Sequence, residues 1–212
     1  MPFDLYVITD ETLAGGIPHA EIARRAVRGG ADAIQLRDKH MESRDLVQVG
    51  REILAHTRPA GALFLVNDRL DVALACGADG IHLGQDDIRP DVARQLSPPG
   101  FIIGVSAGSI EEAREAERAG ADYVVLSPVF STGSKADAGP GLGLAELARM
   151  KKAVRIPVLA IGGIGPSNVT DVIRAGADGV AVISAVVSAP DITEASRTMK
   201  ALIVRAKGPG RR

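Results

Sequence analysis

Gly30-Ala31-Asp32-Ala33-Ile34-Gln35-Leu36 holds the pattern that sets the fold. A turn tripeptide runs straight into a short, almost wholly apolar stretch. The same Gly-Ala-Asp recurs at 77–79, 120–122 and 176–178. Each copy leads into another such stretch: Gly80-Ile81-His82-Leu83, Tyr123-Val124-Val125-Leu126 and Gly179-Val180-Ala181-Val182. Upstream of each lies a helix-like segment rich in Ala, Arg and Glu. Glycine suits the position just past a helix end, where φ is positive, and Asp closes the turn into a buried strand. The unit is helix, turn, strand. Successive copies stand about two β/α units apart, one unit taking ~30 residues.

Four intervening apolar runs supply the remaining strands: Leu5–Thr9, Leu63–Val66, Phe101–Val105 and Val158–Ile161. All eight runs are nearly continuous in apolar residues, as expected of parallel strands buried on both faces. Helical spacing predicts helices over 20–28, 44–56, 70–76, 90–96, 110–119, 144–153, 168–175 and 192–206. Ser109 followed by Glu112 reads as a capping box, and Pro166-Ser167 opens the seventh helix. The expectation is α/β: a single (β/α)8 TIM barrel with parallel strands over residues 1–207, and a flexible tail at 208–212. A doubly wound open sheet is the alternative. It is disfavoured because no Gly-x-Gly-x-x-Gly follows the first strand.

Composition narrows the classes. Of 212 residues, 46% are hydrophobic but only 3% aromatic, with no Trp, so the core must be built from Ala, Val, Ile and Leu. The net charge of −1 argues against a nucleic-acid partner, and the scarcity of rings against base stacking. The one cysteine, Cys76, excludes a disulfide framework and a thiolate metal site. The N-terminus has no basic region followed by an apolar stretch, so no signal peptide is expected. No run approaches the ~18 apolar residues of a membrane span. The expectation is a cytoplasmic protein acting on small molecules, with homo-oligomerisation left open.

In such a barrel, chemistry sits where strands end, and polar residues gather there. Strand 2 runs into Gln35-Leu36-Arg37-Asp38-Lys39, where alternation places Gln35, Arg37 and Lys39 on one side. Strand 3 ends in Asn67-Asp68-Arg69, strand 4 in Gly84-Gln85-Asp86-Asp87, strand 5 in Ser106. Strand 6 leads to Ser131-Thr132-Gly133-Ser134-Lys135, strand 7 to Gly162-Gly163 and strand 8 to Ile183-Ser184. The cations Arg37, Lys39 and Lys135 suit a polyanion such as pyrophosphate. Asp68 and Asp87 end adjacent strands and can hold Mg²⁺ together with substrate phosphate oxygens. The bland alternative is a network of ion pairs at the barrel mouth. The loops after strands 7 and 8 suggest a second, phosphate-sized site, with Gly162-Gly163 allowing close backbone approach. The long 131–143 loop reads as a closing lid. His82 points inward and reads as a satisfied core histidine. His19, His40 and His56 fit no metal spacing. Asp10 reads as a supporting or capping group.

Over nearly its whole length the chain resembles the thiamine phosphate synthase family. The resemblance is carried by Tyr6-Val7-Ile8-Thr9-Asp10, Gln35 to Lys39, Asn67-Asp68-Arg69, Gly80 to Asp87 and Gly104-Val105-Ser106. It continues through Ser127 to Lys135, Ala160 to Ile164 and Gly176 to Ser184. It implies a Mg²⁺-dependent transferase that joins a hydroxymethylpyrimidine diphosphate to a thiazole phosphate, or its carboxylate. The products are thiamine phosphate and pyrophosphate, formed by a dissociative route. By position, the pyrimidine diphosphate falls to Gln35, Leu36, Arg37, Asp38, Lys39, Asn67, Ser106 and Lys135. Arg37, Lys39, Ser106 and Lys135 would carry the catalysis. Mg²⁺ falls to Asp68 and Asp87, and the thiazole phosphate to Thr132, Gly133, Ser134, Gly163, Ile183 and Ser184. Two departures stand out: Gly108 where many members carry His, and the lid variant Ser131-Thr132-Gly133-Ser134-Lys135. The rivals are a thiazole tautomerase-like isomerase, and a non-catalytic phosphate-binding barrel. Tautomerase-like siblings typically lose the strand-2 set and carry His near the position of Ser127.

Overall fold

A computed structural model describes residues 3–133 and 139–208. Eight parallel strands close in sequence order: β1 (Leu5–Ile8), β2 (Ala33–Leu36), β3 (Leu63–Asn67), β4 (Gly80–Leu83), β5 (Ile102–Ala107), β6 (Tyr123–Leu126), β7 (Val158–Ala160) and β8 (Gly179–Val182). Closure is made by β1 on β8, with Leu5 opposite Val180. The helices between them are α1 (His19–Arg28), α2 (Ser43–Thr57), α3 (Leu70–Cys76), α4 (Pro90–Leu96), α5 (Ile110–Arg118), α6 (Gly143–Ala153) and α7 (Val169–Arg174). After β8 come a four-residue helix α8 (Ser184–Val187) and the long α9 (Ile192–Lys207). No helix among the described residues is long and apolar enough to cross a membrane. The tail expected from 208 lies, beyond Gly208, outside the described residues.

The predicted barrel is the observed one. Helix α8 was not anticipated: Ser184-Ala185-Val186-Val187 holds two β-branched residues and is too short to show a period. The Gly-Ala-Asp carboxylates also do more than close their own turns. Asp32 Oδ2 accepts the backbone N–H groups of Asp4 and Leu5 at 3.0 and 2.9 Å. Asp79, Asp122 and Asp178 accept those of Phe64, Ile103 and Val158 at 2.8, 2.7 and 2.7 Å. Each Asp ahead of an even strand thus caps the start of the preceding odd one. It satisfies donors that the first residues of a buried strand would otherwise leave unpaired.

Three of the six aromatic rings meet inside the barrel. Phe3 packs against Tyr6 and Tyr123 with centroids 5.6 and 5.3 Å apart. Gly104 makes this possible, because a Cβ there would stand 2.0 Å from the Tyr123 ring. Cys76 is buried, its Sγ on the Ala73 carbonyl, and burial raises its thiol pKa. It is a packing residue.

Candidate active site

The carboxyl ends of the strands enclose a cavity of about 760 Å³. One wall comes from β2, β3 and β4, through Arg37, Lys39, Asn67, Asp68 and Asp87. The opposite wall comes from the loops after β7 and β8, through Gly162, Gly163, Ile183 and Ser184. Ser106 and His82 form the floor between them, and Thr132 reaches in from the loop after β6. Cations and carboxylates stand on one side, a polar backbone cradle on the other.

The charged wall is tightly organised. Asp68 is the one non-glycine among the described residues with positive φ, at 59°. Asp tolerates this left-handed turn better than most residues, and such outliers cluster at functional sites. Its carboxylate meets the Lys39 ammonium and shares a hydrogen bond with Asp87. Burial alone would raise the Asp68 pKa, but Asp87 and Lys39 outweigh it and hold it below the usual carboxylate range. Asp87 goes the other way, pushed up by burial and by the neighbouring Asp68, although Gly84 N–H donates to its Oδ2 at 2.6 Å. Two acids this close titrate apart. Two such carboxylates are oxygen donors of the kind that could hold Mg²⁺ alongside phosphate and water. Arg37 lines the same wall, and among the described residues its guanidinium has no hydrogen-bond or carboxylate partner.

The floor is a chain of hydrogen bonds. His82 Nε2 meets Ser106 Oγ at 2.9 Å and His82 Nδ1 meets Tyr123 OH at 3.1 Å. Tyr123 OH donates to Tyr6 OH at 3.3 Å, and Gln35 Nε2 donates to Tyr6 OH at 2.6 Å. Burial pushes both phenols up, so they stay neutral. His82 is thus a satisfied core histidine, as expected, and it also lines the cavity.

Not every expected residue reaches the cavity wall. Gln35 lies beneath the floor, 1% exposed. Leu36 packs in the outer core, because alternation turns it away from Arg37. Asp38 likewise points outward, to the N-terminal turn of α1. Gly133 is exposed and off the wall. Ser134 and Lys135, with the rest of 134–138 in the middle of the expected lid, lie outside the described residues. Gly162 and Gly163 line the cavity, but their lack of a side chain has a second cause: a Cβ on either would stand 2.5 or 2.8 Å from Pro128 or Phe130. The capping box forms only in part. Ser109 Oγ accepts from Glu112 N at 3.2 Å, while the Glu112 carboxylate reaches one residue further back, to Gly108 N at 2.7 Å. Glu112 and Gly165-Pro166-Ser167 also line the cavity, whereas the sequence marks Glu112 and Pro166-Ser167 only as helix-start signals. The signal for the latter was their place directly after the strand-7 glycines.

Comparison with known proteins agrees with this geometry. A family model described as thiamine monophosphate synthase matches residues 5–186. The chain is 60% identical to the thiamine-phosphate synthase of Methanoregula boonei, over 98% of this chain and 96% of the relative. It is 57% identical to that of Methanoculleus marisnigri over the full length of both. Among solved structures, a thiamine phosphate pyrophosphorylase from Pyrococcus furiosus superposes with a TM-score of 0.90 at 44% identity, covering 97% of each chain. This chain belongs to the thiamine monophosphate synthase family.

Proposed function

We propose that the chain is a transferase that joins a hydroxymethylpyrimidine diphosphate to a thiazole phosphate, releasing pyrophosphate and forming thiamine phosphate. The observation that carries this is the division of one cavity into a cationic wall, with Arg37 unpaired among the described residues, and a glycine-rich wall after β7 and β8. Each wall suits one of two phosphorylated substrates, and the space between them is where the new bond forms.

The exocyclic C–O bond of the pyrimidine breaks and its electron pair leaves with the pyrophosphate. The thiazole nitrogen then supplies the pair for the new C–N bond. Arg37 and Lys39 bind the leaving pyrophosphate and stabilise the charge that develops on it, which is where preorganised cations lower a barrier most. Lys135 is assigned the same task from the loop after β6. Asp68 and Asp87 would hold Mg²⁺, which when bound neutralises further charge on the diphosphate. Asn67 and Ser106 orient the pyrimidine diphosphate. Thr132, Ser134, Gly163, Ile183 and Ser184 hold the thiazole phosphate. The substrates are small phosphorylated molecules, and neither a nucleic acid nor a membrane is invoked. A cytoplasmic location accords with that chemistry.

The test is a coupling assay with both substrates and Mg²⁺. Thiamine phosphate and pyrophosphate should form in equal amounts, with little turnover for Asp68→Ala or Lys135→Ala. Binding of both substrates without product would overturn the reading.

A further inference from the structure

We infer that His19 is a positioning residue for the diphosphate-binding end of β2. From outside the barrel it holds Asp38, and through Asp38 and Thr9 it fixes the backbone that presents Arg37 and Lys39. The inference rests on the pyrophosphate role given above to those two cations.

His19 is 1% exposed and lies in the first turn of α1. Its Nδ1 meets Thr9 Oγ1 at 2.7 Å, just past the end of β1, and its Nε2 meets Asp38 Oδ2 at 3.3 Å. The same Thr9 oxygen accepts Arg37 N–H at 3.4 Å. Asp38 Oδ1 accepts the N–H groups of His40 and Met41 at 2.7 and 2.8 Å. Burial would raise the Asp38 pKa, but these two backbone donors and His19 outweigh it, so the carboxylate stays ionised and only accepts.

An ionised Asp38 cannot donate, so His19 presents an N–H to it from Nε2, with Glu11 Oε1 3.8 Å away on the same side. In the neutral imidazole Nδ1 then accepts from the Thr9 hydroxyl, whose lone pair takes Arg37 N–H. A Leu at 19 would fill a similar volume but strip Thr9 and Asp38 of that partner. Arg37 and Lys39 flank Asp38, and alternation sends them into the cavity while Asp38 turns out. A grip on Asp38 is therefore a grip on the segment carrying both cations. Groups that fix the orientation of a binding residue in this way typically change affinity about ten- to hundredfold.

The test uses the whole chain with inorganic pyrophosphate and Mg²⁺ by titration calorimetry, and steady-state kinetics with both substrates. His19→Ala should weaken pyrophosphate binding and raise KM for the pyrimidine diphosphate about tenfold or more, leaving KM for the thiazole phosphate near that of the wild type. His19→Gln, whose amide N–H can reach Asp38, should recover most of the loss. His19→Asn, whose amide falls short, should not. His19→Ala should cost less in an Arg37→Ala background than in the wild type, since part of its effect passes through Arg37 and only the part through Lys39 remains. Should His19→Ala fail to fold, the isosteric Thr9→Val must show the same one-sided rise in KM. Wild-type pyrophosphate affinity in the folded His19 variants, or an equal effect on both substrates, overturns the proposal. A wild-type chain that does not bind pyrophosphate, or an Arg37→Ala that binds it undiminished, overturns the site reading itself and the proposal with it.

Discussion

Asp68 and Asp87, at the ends of neighbouring strands β3 and β4, share a hydrogen bond between their carboxyl groups. Holding two acids together in a half-buried site costs stability unless a cation compensates. Lys39 does so on the Asp68 side. Asp68→Asn and Asp87→Asn should each lower kcat/KM about hundredfold or more. Chelation should stop turnover in the wild type, and added Mg²⁺ should restore it. Unchanged turnover under a chelator would count against the metal assignment.

Arg37→Ala should act on the diphosphate substrate. The lost charge-assisted contacts are worth about 1.5–3 kcal/mol, which corresponds to a tenfold to hundredfold rise in its KM. Product inhibition by pyrophosphate should weaken in parallel. Equal loss of affinity for the thiazole phosphate would place Arg37 elsewhere.

Gly104→Ala tests the barrel floor. The new methyl would overlap the Tyr123 ring, and the Tyr6–Tyr123–His82 chain would have to move. Overpacking of this kind costs about 1–3 kcal/mol. Urea denaturation should show it as a lower midpoint with an unchanged slope.

Asp4 fastens α9 to the start of β1 through Lys200, at 2.7 Å, and Lys207. Burial raises the Asp4 pKa, but the two ammonium groups outweigh it, so the folded value lies below the unfolded one. The resulting stability is fully present above the ordinary carboxylate range and is lost as pH falls through the folded value. Asp4→Asn should cost about 1 kcal/mol at neutral pH. The gap between the two melting curves should close on acidification below about pH 4.

The barrel was legible because its signals are local. Gly-Ala-Asp followed by an apolar run marks a helix end, a turn and a buried strand within a few residues, and the eight predicted strands coincide with the observed ones to within one or two residues. The residues at strand ends were equally legible: Arg37, Lys39, Asn67, Asp68, Asp87, Ser106, Thr132, Gly163, Ile183 and Ser184 all line one cavity. His19 was passed over because it was weighed only as a metal ligand. Its partners, Thr9 and Asp38, lie on two different strand ends.

The sequence by itself determined the repeating unit, the barrel and the chemical character of each strand end, since period, turn chemistry and alternation are properties of neighbouring residues. Only the tertiary structure decided which of these groups meet. Barrel closure brings Asp68 to Asp87 and Lys39, sends Gln35 beneath the floor to Tyr6, and sets Asp32 against the first strand rather than only its own. These partners lie many residues apart in the chain. Their meeting depends on strand register and on the direction each side chain takes across the sheet, which no local pattern specifies.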